Sequence, residues 1–137
     1  MATDTFVDTS GLYALLVRRD GMHERARHLI EDARKKRRRF VTTDYVLDES
    51  ATLLMARGHG HLLDALFEAT LESKACRVEW TSPERFMFVT RFIMKHRDKK
   101  WSFTDCLSFT VMRELRLRDA LTKDAHFEQA GFRAVLC

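Results

Sequence analysis

The chain has 137 residues, of which 45% are hydrophobic and 32% are charged, a size and composition typical of one folded domain. Its single proline, its five glycines and its mixed charges exclude a disordered, collagen-like or low-complexity protein. A net charge of +4 permits a nucleic-acid partner without demonstrating one.

Short apolar stretches alternate with helical segments along the whole chain. In chain order we predict a strand at 5–7, helices at 12–17 and 23–36, a strand at 40–42, helices at 45–57 and 61–72, a strand at 76–80, helices at 83–96 and 103–115, a strand at 120–121, a helical turn at 124–130 and a strand at 133–136. This order favours an α/β fold with a parallel sheet covered by helices on both faces. Without a linker or an internal repeat, residues 1–137 are expected to form a single domain.

No segment has the features of a membrane anchor or an export signal. The longest unbroken apolar run, residues 12–17, has six residues. A membrane-spanning helix needs about 20. The N-terminus carries Asp4 and no basic cluster. Cys76, Cys106 and Cys137 suit neither a disulfide framework nor a zinc site. We therefore expect a cytoplasmic protein with reduced thiols and no membrane partner.

Four carboxylates fall at the ends of predicted strands or early in the helices that follow them. Asp8 follows the first strand, Glu49 lies one turn into the helix after the second, Asp105 lies near the start of its helix, and Asp124 follows the fourth strand. In an open parallel sheet, ligands bind outside the carboxyl ends of the strands. Carboxylates gathered there repel one another, and a hard divalent cation such as Mg²⁺ or Mn²⁺ relieves the repulsion and assists phosphoryl displacement.

Each of these acids also has a structural interpretation, which the pattern leaves open. Asp8 and Asp124 fit turn or helix-capping positions. Asp105 is the last residue of a Ser-x-x-Asp pattern typical of a capping box. Asp48 and Glu49 border opposite sides of one apolar stripe, and periodicity does not choose between them.

Four segments resemble the motifs of the PIN-domain nucleases, and above all the VapC-type toxins of toxin–antitoxin pairs. They occur in the family's order over nearly the whole chain, at 6–10 (FVDTS), 45–49 (YVLDE), 102–106 (SFTDC) and 122–127 (TKDAHF). The resemblance implies a three-layer α/β/α sandwich around a parallel sheet of about five strands. It also implies an endoribonuclease that depends on Mg²⁺ or Mn²⁺, forms a homodimer and is inhibited by a cognate antitoxin protein.

The resemblance also implies roles for the acids. Asp8, Glu49 and Asp105 match the invariant acids of the family, and Asp124 matches a fourth, more variable one. This match selects Glu49 over Asp48. It implies that Asp8 and Asp105 hold the principal cation, that Glu49 completes its shell directly or through water, and that Asp124 supports a second metal ion or an ordered water.

The chain departs from the family pattern around the fourth acid. Lys123 stands where an apolar residue is more frequent, and Ala125 replaces a frequent basic residue. Lys123 could pair with Asp124 and compete with the cation, and His126 could either line the site or pack internally. Hydroxyls that could orient a ligand or a phosphate, beside their capping role, are those of Thr9, Ser10 and Thr104.

One run of six consecutive cations precedes the second strand: Arg34, Lys35, Lys36, Arg37, Arg38 and Arg39. A solvated helix end accounts for two or three of these charges. Six in a row repel one another, and contact with an RNA backbone would relieve this. The run is expected at the amino end of its strand, away from the acids. An alternative function is therefore a non-catalytic RNA-binding module that uses this run, although such a module has no reason to gather carboxylates.

Overall fold

The computed structural model describes residues 4–137, which form a five-stranded sheet and seven α-helices. The elements in chain order are β1 (Thr5–Val7), α1 (Thr9–Leu16), α2 (His23–Lys35), β2 (Phe40–Thr43), α3 (Asp44–Ala56), a 3₁₀ turn (Gly60–Leu62), α4 (Leu63–Thr70), β3 (Cys76–Glu79), α5 (Pro83–Lys95), α6 (Phe103–Glu114), β4 (Asp119–Leu121), α7 (His126–Gln129) and β5 (Arg133–Ala134). The strands pair in parallel in the order β3-β2-β1-β4-β5. The predicted α/β class and the parallel sheet are confirmed.

Helices cover both faces of the sheet, because the chain leaves β1 in two directions. Crossovers between parallel strands of one sheet are almost always right-handed, which for the connections from β1 to β2 and on to β3 places α1, α2 and α4 on one face. The return to β4 and β5 places α5, α6 and α7 on the other. The packing agrees with this division, since α1 contacts α2 and α4 while α6 contacts α5 and α7. The three-layer α/β/α sandwich that the resemblance implies is therefore confirmed.

The interior is centred on α6, which is buried over eight consecutive residues from Asp105 to Met112. Phe109 on this helix meets Phe127 of α7 edge-on, with ring centroids 4.9 Å apart. Phe127 in turn lies 6.2 Å from Phe6 of β1. Burying each of these rings contributes about 1.5–3 kcal/mol to folding. The aromatic packing therefore fixes α6 and α7 against β1, at the place where the acids are found.

Several element boundaries differ from those predicted. β3 ends at Glu79 rather than at residue 80, because its partner β2 ends at Thr43 and leaves Trp80 nothing to pair with. The final strand covers two residues instead of four, although the next two N–H groups still donate to the β4 segment at 3.0 and 3.1 Å. The predicted helix 61–72 divides into the 3₁₀ turn and α4. None of the helices within residues 4–137 has the length and apolar character needed to cross a bilayer.

The first helix begins at Thr9, three residues earlier than predicted, and includes Gly11. There α1 passes so close to β4 that an ideal Cβ on Gly11 would lie 2.0 Å from the carbonyl oxygen of Leu121. We expect Gly11→Ala to lower the free energy of unfolding by about 1–3 kcal/mol, because the opposing atom is backbone and cannot move aside. Urea denaturation measures this change. Gly21→Ala is the control, since a Cβ added there meets no atom within 4 Å, and equal losses in the two variants would contradict the close approach.

Candidate active site at the carboxyl edge of the sheet

The four acids lie near the point where the strand order changes direction. β1 pairs with β2 on one side and with β4 on the other, so the connections that follow β1 and β4 leave on opposite faces. In open parallel sheets, ligand crevices form at this point, outside the carboxyl ends of the strands. Asp8 directly follows β1, and Asp124 lies in the loop after β4. Glu49 approaches from α3, and Asp105 from the first turn of α6.

Asp8 is the most enclosed of the four carboxylates, with 5% of its surface exposed. Its Oδ2 accepts a hydrogen bond from Thr122 Oγ1 at 2.9 Å. Burial raises the pKa of Asp8 to about 7, against the effect of the Thr122 bond, and the charges of Asp105 and Glu49 raise it further. Asp8 makes no side-chain capping bond to α1. Asp8 thus occupies the N-cap position of α1, as the capping interpretation predicted, but without a side-chain capping bond, so its burial requires another explanation.

Asp105 completes a capping box and also faces the site. Its N–H donates to Ser102 Oγ at 3.0 Å, and its Oδ2 accepts from the Ser102 N–H at 3.1 Å. The same Oδ2 lies 3.2 Å from His126 Nδ1. Burial, followed by the charge of Asp124, raises the pKa of Asp105 above its usual value. The predicted capping box is confirmed, and it holds this carboxylate in a fixed orientation towards His126.

Asp124 closes the turn after β4, and its Oδ1 accepts from the His126 N–H at 2.9 Å. Lys123 does not pair with Asp124, because Lys123 Nζ binds Asp20 Oδ2 at 2.9 Å. The Lys123 N–H donates to Ser10 Oγ at 2.8 Å, which fixes the backbone of this turn. The lysine therefore does not compete with a cation for Asp124.

Three side chains form a compact group of possible metal ligands. Asp105, Asp124 and His126 each place one donor atom within 4.8 Å of the others. Carboxylate oxygens are preferred ligands of Mg²⁺ and Mn²⁺, and imidazole nitrogen is a ligand of transition-metal ions. Asp8 is connected to this group through Thr122, whose Oγ1 also accepts the Asp124 N–H at 3.0 Å. The donor set fits a divalent cation, whose charge would offset the cost of burying these carboxylates close together.

Glu49 is exposed like its neighbour Asp48, and one hydrogen bond distinguishes the two. Thr9 Oγ1 donates to Glu49 Oε1 at 2.6 Å, which ties Glu49 to the residue after Asp8. Within residues 4–137, Asp48 makes no side-chain hydrogen bond or ion pair. Of these two acids, Glu49 is thus the one bonded to the segment after β1, and its role in the site stays a prediction. Glu49 lies outside the compact group of three donors.

Thr122 is a site residue that the sequence reasoning did not single out. It is fully buried, and its hydroxyl joins Asp8 to the Asp124 backbone. The available signal was its position, since it is a hydroxyl directly after β4. Of the two roles open to His126, the structure supports a place in the site. Thr104, an expected orienting residue, contributes its backbone carbonyl as the acceptor for a hydroxyl one turn later in α6.

The six-cation run lies at the opposite edge of the sheet. It spans the end of α2 and the loop before β2. Because all the strands are parallel, the amino end of β2 and the carboxyl end of β1 lie at opposite edges. The structure thus places the run away from the acids, as expected.

Comparison with known proteins agrees with this fold and site. Residues 5–133 match the family model for the PIN domain. The chain belongs to the PIN-domain family. The matched region of this PIN domain includes all four acids, Thr122 and His126.

Two comparisons concern a protein of Mycobacterium tuberculosis. This PIN domain is 33% identical over 127 residues to the 23S rRNA-specific endonuclease VapC20 from two strains, covering 93% of this chain and 94% of the relative. It is also similar to the crystal structure of VapC20, which is described as a toxin that cleaves the sarcin–ricin loop. That similarity has a TM-score of 0.83 at 30% identity and covers 96% of each chain.

Proposed function

We propose that this PIN domain, taken as one domain over residues 1–137, is a metal-dependent endoribonuclease that hydrolyses phosphodiester bonds and acts as the toxin of a toxin–antitoxin pair. The observation that carries the proposal is the convergence of Asp105, Asp124 and His126 at the carboxyl edge of the sheet, beside the buried Asp8. The proposed substrate is 23S ribosomal RNA, with the sarcin–ricin loop as the first candidate. Both substrates are taken from the descriptions of relatives that align over nearly the whole chain.

The proposed ligands are held by hydrogen bonds before any cation binds. Asp8 is oriented by Thr122, Asp105 by the capping box, and Glu49 by Thr9. Preorganised ligands lose little conformational freedom on binding, which favours a site of defined geometry. We assign Asp8 and Asp105 to the principal cation and Asp124 and Glu49 to supporting positions. His126 is assigned as a nitrogen ligand beside Asp105.

Mg²⁺ or Mn²⁺, when bound, supplies positive charge that offsets the negative charge developing on the phosphate during in-line displacement. The chain's own residues bind and orient. Asp8, with a pKa of about 7 in the metal-free protein, holds a proton on part of the molecules at neutral pH and is ionised in the rest. Asp105 presents its carboxylate from a rigid helix start, since the Ser102 N–H fixes one oxygen. These carboxylates form a small acidic cluster, which a phosphate of RNA can approach only together with a cation.

Incubation of the purified protein with bacterial ribosomes or free 23S ribosomal RNA tests the proposal. With Mn²⁺ or Mg²⁺ present, we expect cleavage at one position, mapped by primer extension. The alternative hypothesis, a non-catalytic RNA-binding module, predicts instead that RNA is bound and stays intact in every metal condition. Binding without cleavage would overturn the nuclease proposal in favour of that module.

Glu49 and Asp48 provide a matched pair of variants, because both are exposed acids of α3 and adjacent in the chain. We expect Glu49→Gln to slow cleavage about 10–100-fold, as is usual when a group that supports a metal site is lost. We expect Asp48→Asn to leave the rate unchanged. Single-turnover cleavage of one RNA by the two variants measures the difference, and equal rates would remove Glu49 from the site.

We further propose that the protein forms a homodimer. Exposed apolar side chains on and beside α5 support the expected homodimer, since such groups are normally covered in an assembly. They include Trp80, Met87, Phe88 and Met94. From the proposed toxin function we also infer a cognate antitoxin protein as partner and a cytoplasmic location.

A further inference from the structure

A cationic surface covers the edge of the sheet opposite the acids. We call it the basic edge and define it as the run 34–39 together with Arg116, Arg118 and Arg133. These residues lie at the amino ends of β2, β4 and β5, which share one edge because the strands are parallel. All of them are exposed except Arg38, which is half-buried. The proposed nuclease activity, which uses the other edge, assigns them no role.

Two arginines of the basic edge occupy backbone positions that favour glycine. Arg37 and Arg116 have φ values of 57° and 56°, in the left-handed region. Each follows the end of a helix, α2 or α6, and the residue after it donates its N–H back into the last turn, at 2.9 and 2.8 Å. The other two left-handed residues within 4–137 are glycines. An arginine in this conformation is strained. Its presence after the C-terminal ends of both α2 and α6 therefore indicates a functional role for the side chain.

Most charges of the basic edge have no carboxylate partner within residues 4–137. The paired ones are Lys36 with Asp32, Arg39 with Asp4, and Arg133 with Asp119. The remaining six, including both left-handed arginines, make no ion pair in the described part of the chain. Close cations without counter-ions repel one another, and a polyanion would relieve this repulsion.

The basic edge also contains an open hollow of about 650 Å³, lined in part by Arg38, Arg118 and Arg133. Two acids, Asp119 and Glu128, line it as well, and Asp119 is already bound by Arg133 through two hydrogen bonds. Arg38 Nε is buried without a hydrogen-bond partner among the described residues. The hollow is therefore concave and has three cations against two acids, one of which is already paired, and these are properties of an anion site.

RNA is the partner that this surface fits best. Phosphate contacts supply most of the affinity of proteins for nucleic acids. The acidic cluster cannot supply them, because its own carboxylates repel phosphates. The longest strands, β2 and β3, have four residues each and therefore span only about 13 Å between the edges. A large folded RNA that contacts the acidic cluster at one edge extends far enough to contact the other edge.

We propose that the basic edge is a second RNA-binding surface, which binds the phosphate backbone of a folded RNA substrate away from the cleaved bond. This inference rests on the proposed nuclease function, because it assigns the two edges to one RNA. Arg37 and Arg116 are its central contacts, and the hollow at Arg38 and Arg118 receives a neighbouring phosphate.

The test compares Arg37→Asn/Arg116→Asn with the control Arg91→Gln/Lys95→Gln. Asparagine tolerates the left-handed conformation, so the first variant is expected to fold, and thermal unfolding verifies this. The control removes two exposed cations of α5 that make no ion pair within residues 4–137. Each protein is titrated with a folded ribosomal RNA fragment at several salt concentrations, and each is assayed on a short single-stranded oligonucleotide.

We expect the basic-edge variant to bind the folded RNA about 10-fold more weakly at physiological salt. The slope of its log affinity against log salt concentration should be smaller in magnitude by about 1–2. Cleavage of the short oligonucleotide should be unchanged. Equal losses in the α5 control would assign the effect to net charge and overturn the proposal. Unchanged RNA affinity would also overturn it and leave an acidic protein segment as the partner. Failure of the nuclease proposal would appear separately, as wild-type protein that cleaves neither RNA while the salt dependence remains measurable.

Discussion

Asp105→Asn is expected to reduce RNA cleavage by at least about 100-fold, because it removes one charged ligand from the cation site and weakens the charge stabilisation that the cation supplies. The fold should survive. An asparagine oxygen can still accept the Ser102 N–H, which Asp105 Oδ2 accepts in the native capping box. Loss of activity in this variant therefore reports on the site rather than on unfolding.

Calorimetric titration with Mn²⁺ gives a second readout for the same variant, and we expect its heat of binding to disappear. Asp98→Asn is the control, since it removes the same charge from an exposed position in the loop after α5. It should cleave RNA and bind Mn²⁺ like the wild type. Full activity of Asp105→Asn, or retained Mn²⁺ affinity, would exclude Asp105 as a ligand.

Asp8→Asn is expected to stabilise the metal-free protein at alkaline pH. The pKa of Asp8 is about 7 when folded and near 3.8 when exposed. Between these values the folded state binds more protons than the unfolded state, so stability falls as pH rises from about 4 to 7 and stays reduced above it. Asparagine carries no charge to bury, so at pH 8 the variant should gain about 2–4 kcal/mol.

Thermal unfolding in EDTA at pH 5 and pH 8 measures this effect. We expect the wild type to lose stability between the two conditions relative to Asp8→Asn, with a difference in Tm of about 5–15 °C at pH 8 and a much smaller one at pH 5. Added Mn²⁺ should stabilise the wild type and leave the variant nearly unchanged. A variant that is less stable than the wild type at pH 8 would mean that Asp8 does not carry a buried charge.

The main features of the fold could be predicted because their signals are local. Apolar periodicity indicates the strands and helices, and the Ser102–Asp105 capping box indicates where α6 begins. Boundaries that depend on a neighbouring element could not be predicted. β3 stops where β2 stops, so Trp80 falls outside the strand. Gly11 lies inside a helix rather than before one, at a place where β4, a distant segment, passes too close to admit a side chain.

The acids of the site could be identified because their motifs resemble those of a known family, whereas their hydrogen-bond partners could not. Thr122 binds Asp8 from 114 positions away, and Lys123 binds Asp20 from 103 positions away. Such contacts depend on how the sheet brings β1 and β4 together, which no local pattern encodes. For the same reason the role of His126 stayed open until its ring was placed beside Asp105.

Cleavage of 23S ribosomal RNA by the wild-type protein, with and without divalent metal, tests the central claim most directly. The claim is that the acids at the carboxyl edge form a metal-dependent ribonuclease site. Protein stripped with EDTA should leave the RNA intact, and Mn²⁺ or Mg²⁺ added in excess of the chelator should restore cleavage at a single position. RNA that is cut equally well in EDTA, or left uncut at every metal concentration, would contradict the account.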